Sequence, residues 1–504
     1  MDLLTLTADE LQNQLQCGAI TGVQLVQQCI DQIRRYDDYL HAVIQVSPIA
    51  LQHAKLLHEE RLSGRIRGPL HGIPILLKDN IDTDPGMGMD TTSGCLALAG
   101  SRPKRNAEIV ERMISAGMII LGKANLSELS GIKGLRQMPG GSTIGGQTQS
   151  AYTTGDVNPN DKVLDHSSPS GSSTGSAVAV SAGYAPLAIG TDTGGSLIIP
   201  SSRAALYALR PTMGLISQDG IIPISYDHDA AGPMAKSVLD IANMLDVLAS
   251  LSGPGGSLYA ASLAGGFGSL KIGALPVKEW LFPEGVMSYD EDTTGQLISK
   301  IDAAYEKIDS LAGTFKKVDM IKPRALFPAG GFSIYDLYTM RLKKALEEYL
   351  AHRESSPVRT LDDIIALNNG HATTEKLAPF DNQETLIQAA GSKMSDAEHK
   401  VLLEETRSVG REQGIDKSLK DFDVDVIIGP ADSSVNLIIA AAGYPSATVP
   451  LSYLDYNGRP FGLIAFTTAG GEKTLLRFMK AWEDTFPKRR VPKNLVRGDL
   501  VGVE

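Results

Sequence analysis

Three short segments hold residue types that could carry acyl-transfer chemistry: Gly72-Ile-Pro-Ile-Leu-Leu-Lys78-Asp-Asn, Ser168-Pro-Ser-Gly-Ser172-Ser173-Thr-Gly-Ser176 and Gly190-Thr-Asp-Thr-Gly-Gly-Ser196. Lys78 follows five apolar positions, which directs its stem into the interior. A buried ammonium is costly, so its pKa falls, and a neutral lysine is a usable base. The same run also fits a strand-end lysine whose head reaches water. Gly171-Ser-Ser-Thr-Gly175 has the G-x-S-x-G spacing of a nucleophile elbow, which would make Ser173 the nucleophile with a histidine base. That elbow needs a preceding strand, and residues 165–170 (DHSSPS) do not read as one. No lysine follows the glycines, as a phosphate-binding loop requires. A helix N-cap with a flexible lead-in is the plainer reading. In the third segment, adjacent Gly194 and Gly195 let backbone amides converge beside Ser196 without Cβ obstruction. Converging amides are what an oxyanion hole requires, although a plain Gly-Gly turn uses the same residues.

These segments need elements to position them. Residues 7–58 read as helical, with Thr7-Ala-Asp-Glu10 as a capping box. Residues 70–77 read as a turn feeding a buried strand, 107–118 as an amphipathic helix and 118–122 as a second buried strand. Residues 139–176 are rich in Gly, Ser, Thr and Asn. They lead into a small-residue helix and a further buried strand at 185–189, which suits a site-building loop better than a linker. Charged helices dominate 255–400; strand patterns resume at 424–428, 447–451 and 463–466, and a last helix covers 472–485. The strand–helix alternation predicts an α/β fold with a large mixed, mostly parallel twisted sheet covered by helices on both faces. The expected divisions are an N-terminal helical segment (1–70), a core (71–254), a mainly helical insertion or cap (255–400) and a C-terminal part of the core sheet (421–504).

Composition narrows the function. The 504 residues are 42% hydrophobic and 21% charged, an ordinary globular balance. A net charge of −11 without a basic stripe disfavours nucleic acid, which needs clustered cations. Three cysteines (Cys17, Cys29, Cys95) fit a reducing, cytoplasmic setting rather than a disulfide framework. Residues 1–15 lack a basic region followed by an apolar one, so no secretory leader is expected. Apolar windows such as 437–442 are far too short to span a membrane.

The three segments in this order resemble the amidase signature family. The likeness runs through GIPILLKDN, GSSTGSAVAV, GTDTGGS, LRPTMGLIS and Asp229-Ala-Ala-Gly-Pro-Met-Ala-Lys-Ser, covering about 7–250 and 421–485. GGQT (145–148), ANLSE (124–128) and SQDGIIPISY (217–226) are most similar to peptide amidase-like members. The resemblance implies Lys78 as base, Ser172 as bridging serine behind a cis peptide, and Ser196 as nucleophile. It places the oxyanion hole at Thr193, Gly194 and Gly195. Ser173, next to the bridging serine, is expected to be a further substrate contact. It also implies hydrolysis of a small-molecule or peptide carboxamide through an acyl-enzyme, with no cofactor; a homodimer is an open quaternary option.

Many relatives carry an arginine two or three residues after the nucleophile, where this chain has Ile198 and Ile199. Both are therefore expected to form an apolar floor for a neutral substrate, and Arg203, beyond Pro200, to be structural. Among the histidines, His166 and His228 lie nearest the motifs. Asp227-His228-Asp229 looks metal-binding, but consecutive residues rarely reach one ion, and no metal is expected. Transfer of the acyl group to an amine or alcohol, esterase activity, and a catalytically dead binding protein are the competing readings. Filled positions at Lys78, Ser172 and Ser196 oppose the last.

Overall fold

The computed structural model describes residues 1–134, 137–250, 258–329, 331–370 and 382–497. Its strands are β1 Val43–Val46, β2 Pro74–Lys78, β3 Ile119–Ala124, β4 Gly141–Ser142, β5 Gly146–Gln147, β6 Leu187–Asp192, β7 Tyr207–Arg210, β8 Ala230–Ala235, β9 Lys271–Ala274, β10 Thr314–Lys317, β11 Val426–Pro430, β12 Ser446–Tyr453 and β13 Pro460–Phe466. Among the described residues, eleven of them form one mixed sheet, in the order β1-β3-β2-β6-β8-β7-β12-β13-β11-β9-β10; β4 and β5 pair separately. Parallel pairing joins β3, β2 and β6 on one side and β11, β9 and β10 on the other. The strands between pair antiparallel, as does β1 at its edge.

Every residue of β2, β3, β6, β8, β11 and β13 is buried. Successive strand side chains point to opposite faces, so both faces of these strands are covered. The helix Thr174–Ser181 (TGSAVAVS) is wholly buried, and its small residues bring it close to its neighbours. A Cβ on Gly175 would lie 2.4 Å from the Ala42 carbonyl oxygen and 2.5 Å from the Asn125 backbone. At the N-terminus, the Thr7–Glu10 capping box starts the helix Ala8–Gln16. The 1–70 segment is mainly helical and also supplies the edge strand β1.

Residues 255–400 carry the expected helices, among them Glu291–Asp309, Ile334–Met340 and Asp396–Gly410. They also supply β9 and β10, which extend the main sheet. Each of these strands is four residues long, and β10 is half-exposed to exposed throughout, which leaves little apolar pattern to read. Within that stretch 255–257, 330 and 371–381 lie outside the described residues, as do 135–136, 251–254 and 498–504 of the flanking divisions. No helix among the described residues is long and apolar enough to cross a membrane.

A buried ion cluster fixes the loop that enters the serine-rich segment. Asp432 accepts from Arg203 (2.9 Å) and Arg459 (2.6 Å), and Arg203 also donates to the carbonyls of Leu164, Asp165 and Ser168. Burial opposes the Asp432 charge, but the two guanidinium groups hold its carboxyl well below the usual range. Arg203 thus has the structural role its position implies.

Candidate active site

β2 delivers Lys78 at its end, fully buried. Its Nζ lies 2.8 Å from Ser172 Oγ, 2.8 Å from Thr191 Oγ1 and 3.4 Å from the Thr191 carbonyl oxygen. Burial pushes the ammonium down from 10.5 to about 7, against the opposing pull of Asp192 and Asp229. A group in that range is deprotonated often enough at neutral pH to take a proton. Ser172 is presented by a cis Gly171–Ser172 peptide bond, as the resemblance implies.

The next serine does different work. Ser173 Oγ donates to the Thr191 carbonyl (2.9 Å) and accepts from the Thr191 amide (3.1 Å), and its own amide donates to the Ser196 carbonyl (3.2 Å). Ser173 therefore ties the start of its helix to the end of β6 and to the turn at Ser196. It is fully buried, and its hydroxyl is engaged on both sides, so it is not the substrate contact expected of it.

β6 runs into the turn 193–197, whose shape is set by Asp192. One carboxylate oxygen accepts from the Gly195 amide (2.8 Å), the other from the Leu197 amide (2.7 Å), and Arg210 braces the first from behind (2.9 Å). Gly195 has φ +117°, and a Cβ there would meet Ile199 Cδ1 at 2.8 Å, so only glycine fits. Because the Gly195 N–H is spent on Asp192, it is not available to an oxyanion, contrary to the sequence expectation. Thr193 and Gly194 stand at the cavity surface beside Ser196. Thr193 Oγ1 donates to Asp229 (2.6 Å), whose other oxygen accepts from the amides of Ile224 and Ser225 (2.8 and 2.9 Å). Burial raises the Asp229 carboxyl to about 6.

Ser196 is half-buried and lines a cavity of about 330 Å³. The wall is apolar and hydroxylic: Ile132, Ile224, Leu437, Tyr335, Tyr338 and Ser130. Among the described residues lining it, none is charged. Ser130 stands in a left-handed turn, with φ of 48° at Leu129, 56° at Ser130 and 85° at Gly131. Such a run costs roughly 1–2 kcal/mol per non-glycine residue and is the kind of strain that concentrates at functional sites.

A profile of the amidase family matches residues 24–253. A probable amidase of Arabidopsis thaliana is 30% identical over 487 residues, covering 94% of this chain and 88% of the plant protein. The chain belongs to the amidase family. The native peptide amidase of Stenotrophomonas maltophilia has a solved structure that agrees with TM-score 0.83 at 34% identity, over 96% of this chain and 98% of that one. The solved structure of an amidase family protein from Bacillus anthracis agrees equally well, with TM-score 0.83 at 25% identity, over 97% of this chain and 93% of that one.

In this amidase the side chains of Lys78 and Ser172 come together, and Ser196 opens on the cavity. Ile198 and Ile199 do not line that cavity. The short helix Ile198–Ser202 turns them inward: Ile198 packs in a core with Val435 and Ile438, and Ile199 lies beneath Gly195. The apolar lining comes instead from Ile132, Ile224 and Leu437. Ile198→Arg should therefore act on stability before it acts on selectivity. A guanidinium in that apolar core costs several kcal/mol. The expected outcome is loss of the cooperative unfolding transition or of soluble protein; a folded, active variant with altered preference would place the side chain at the substrate after all.

No histidine is among the described residues that line the cavity. His166 bonds Ser288 and Arg459 in the buried ion cluster, and burial with the two arginines lowers it to about 4. The Asp227-His228-Asp229 side chains diverge: Asp227 to His399 (3.3 Å), His228 to Ser225 (2.9 Å), Asp229 to Thr193. The residues missed from sequence are Thr191, Asp192 and Asp229. Each lies inside a motif block, where a polar side chain at the end of a buried strand was the available signal.

Proposed function

We propose that this amidase hydrolyses neutral, moderately apolar or peptide-like amides through an acyl-enzyme on Ser196, with Lys78 as base acting through Ser172. The observation that carries the reading is the 2.8 Å contact between Lys78 Nζ and Ser172 Oγ in a buried setting. Ser172 gives its proton to neutral Lys78 as it accepts the proton of Ser196, and Ser196 Oγ bonds to the amide carbon. The amides of Thr193, Gly194 and Ser196 are the candidates to hold the oxyanion, with Asp192 keeping the turn in shape. Lys78 then returns the proton through Ser172 to the leaving nitrogen, and the C–N bond breaks. Water attacks the acyl-enzyme, its proton again passing through Ser172, and releases the acid and free Ser196.

The uncharged cavity lining supports a neutral substrate, and likeness to a peptide amidase supports a peptide-like acyl part. An acidic substrate would lose solvation without gaining a partner. Water as final acceptor, rather than an amine or alcohol, is part of the same proposal. The sparse cysteines support the cytoplasmic setting expected from composition.

Intact-protein mass spectrometry after mixing with slow aryl amides and esters tests the reading. A mass increase equal to the acyl group, located on the peptide containing Ser196, is expected. Free acid should remain the main product when hydroxylamine is added at low concentration. Label on Ser173 or on a histidine, or no label with any turned-over substrate, would refute it.

A further inference from the structure

Two aromatic rings that the reaction does not require line the cavity over Ser196, and a third adjoins them. Tyr338 is 4% exposed and sits deep, its hydroxyl 3.4 Å from the Thr193 carbonyl oxygen and its ring edge-on to His228 at 4.9 Å. One helical turn earlier, Tyr335 lines the same cavity but is 53% exposed, its ring 6.0 Å from that of Tyr338. Beyond it, Phe327 is 38% exposed, 5.4 Å from Tyr335. Three rings thus lead from the oxyanion turn to solvent.

Spacing of three on a helix puts Tyr335 and Tyr338 on one face. The helix Ile334–Met340 is held at its start by a capping box between Ser333 and Asp336, so the rings have a fixed base. Large apolar side chains left in water next to a concave site mark ligand contact, because burying them there gains free energy that solvent denies. The rings continue a cavity whose described lining carries no charge, so the ligand part that meets them is apolar. In a primary carboxamide the leaving group is ammonia, so only the acyl half is large enough to reach Phe327.

We infer that Phe327, Tyr335 and Tyr338 form an extended acyl-side subsite for a large apolar or aromatic side chain of a peptide-like amide. This rests on Ser196 being the acylated residue. The subsite makes the insertion the part of the chain that selects long apolar acyl groups over short ones.

The test compares kcat/KM for N-acetyl-Phe-Phe-amide and N-acetyl-glycinamide, both neutral. Wild type should prefer the aromatic amide by at least about a hundredfold. Phe327→Ala and Tyr335→Ala should each lower that preference about tenfold, mainly through KM, and Tyr335→Phe should restore it. Both side chains are substantially exposed, so thermal unfolding should stay near wild type. Equal losses for the two amides, an unchanged preference in both alanine variants, or a wild type without preference would overturn the subsite. A wild type that turns over both amides and is acylated on Ser196, yet without preference, would leave the chemistry standing and remove only the subsite.

Discussion

Ser196→Ala should lower kcat for a primary amide by more than about a thousandfold while leaving the fold in place. The loss is chemical because that hydroxyl holds no hydrogen bond to another of the described residues. The turn is shaped by Asp192, which takes the amides of Gly195 and Leu197, and by the Ser173 amide on the Ser196 carbonyl. Removing one half-buried oxygen there should change stability by less than about 1 kcal/mol. Ser172→Ala should be comparably severe, since it breaks the contact with Lys78. Ser173→Ala should differ in kind. It removes the hydroxyl that accepts from the Thr191 amide and donates to the Thr191 carbonyl, which costs about 1–3 kcal/mol in stability, with activity falling less steeply. Rates with a primary amide, measured beside thermal unfolding of all three variants, separate these outcomes. An active Ser196→Ala, or a Ser173→Ala that is inactive but as stable as wild type, would shift the nucleophile by a whole segment.

The contrast among these serines marks what sequence could and could not say. The strands that carry Lys78 and the Gly-Gly-Ser turn were readable because they are short, apolar and buried on both faces, but each segment alone also fitted a plain alternative, a solvent-reaching lysine or an ordinary turn. The large mixed sheet followed from the same runs. Side-chain direction was not readable. Ile198 and Ile199 adjoin the nucleophile in sequence, yet the helix that begins there rotates them into the core within one turn. The Gly195 amide looked free because its acceptor, the Asp192 carboxylate, is fixed by Arg210 from another strand. Two strands of the insertion escaped because they pair at the sheet's edge with little apolar pattern. Tyr335 and Tyr338 carry no motif at all; only the packing of their helix over the cavity gives them meaning. Contacts between segments far apart in the chain account for the aromatic pair over the cavity, whereas the differences at Gly195 and at the two isoleucines arise within a few residues of the turn.

Replacing Lys78 by methionine should move activity and stability in opposite directions. As a base Lys78 must be neutral, so kcat/KM should rise with pH through an acidic limb near 7, the value to which burial lowers it, and level off above. Lys78→Arg should be inactive across that range, because a guanidinium stays protonated and cannot accept the proton. Lys78→Met should be equally inactive and should reveal the cost of the buried base. In the unfolded chain the lysine titrates at 10.5, in the native state at about 7. Between those values the unfolded state binds the extra proton, so native stability rises with pH across the window. At and below pH 7 the full penalty for burying the ammonium is present, on the order of a few kcal/mol. Relative to Lys78→Met, wild type should therefore be least stable near pH 6–7 and gain steadily toward pH 10. The other buried lysines, Lys123, Lys133 and Lys236, are common to both proteins and cancel in the difference. Denaturant unfolding of the pair at several pH values reads the slope directly. A difference that stays flat, together with an arginine variant that works, would mean that the Lys78 ammonium is charged in the native enzyme and that the proton relay runs elsewhere.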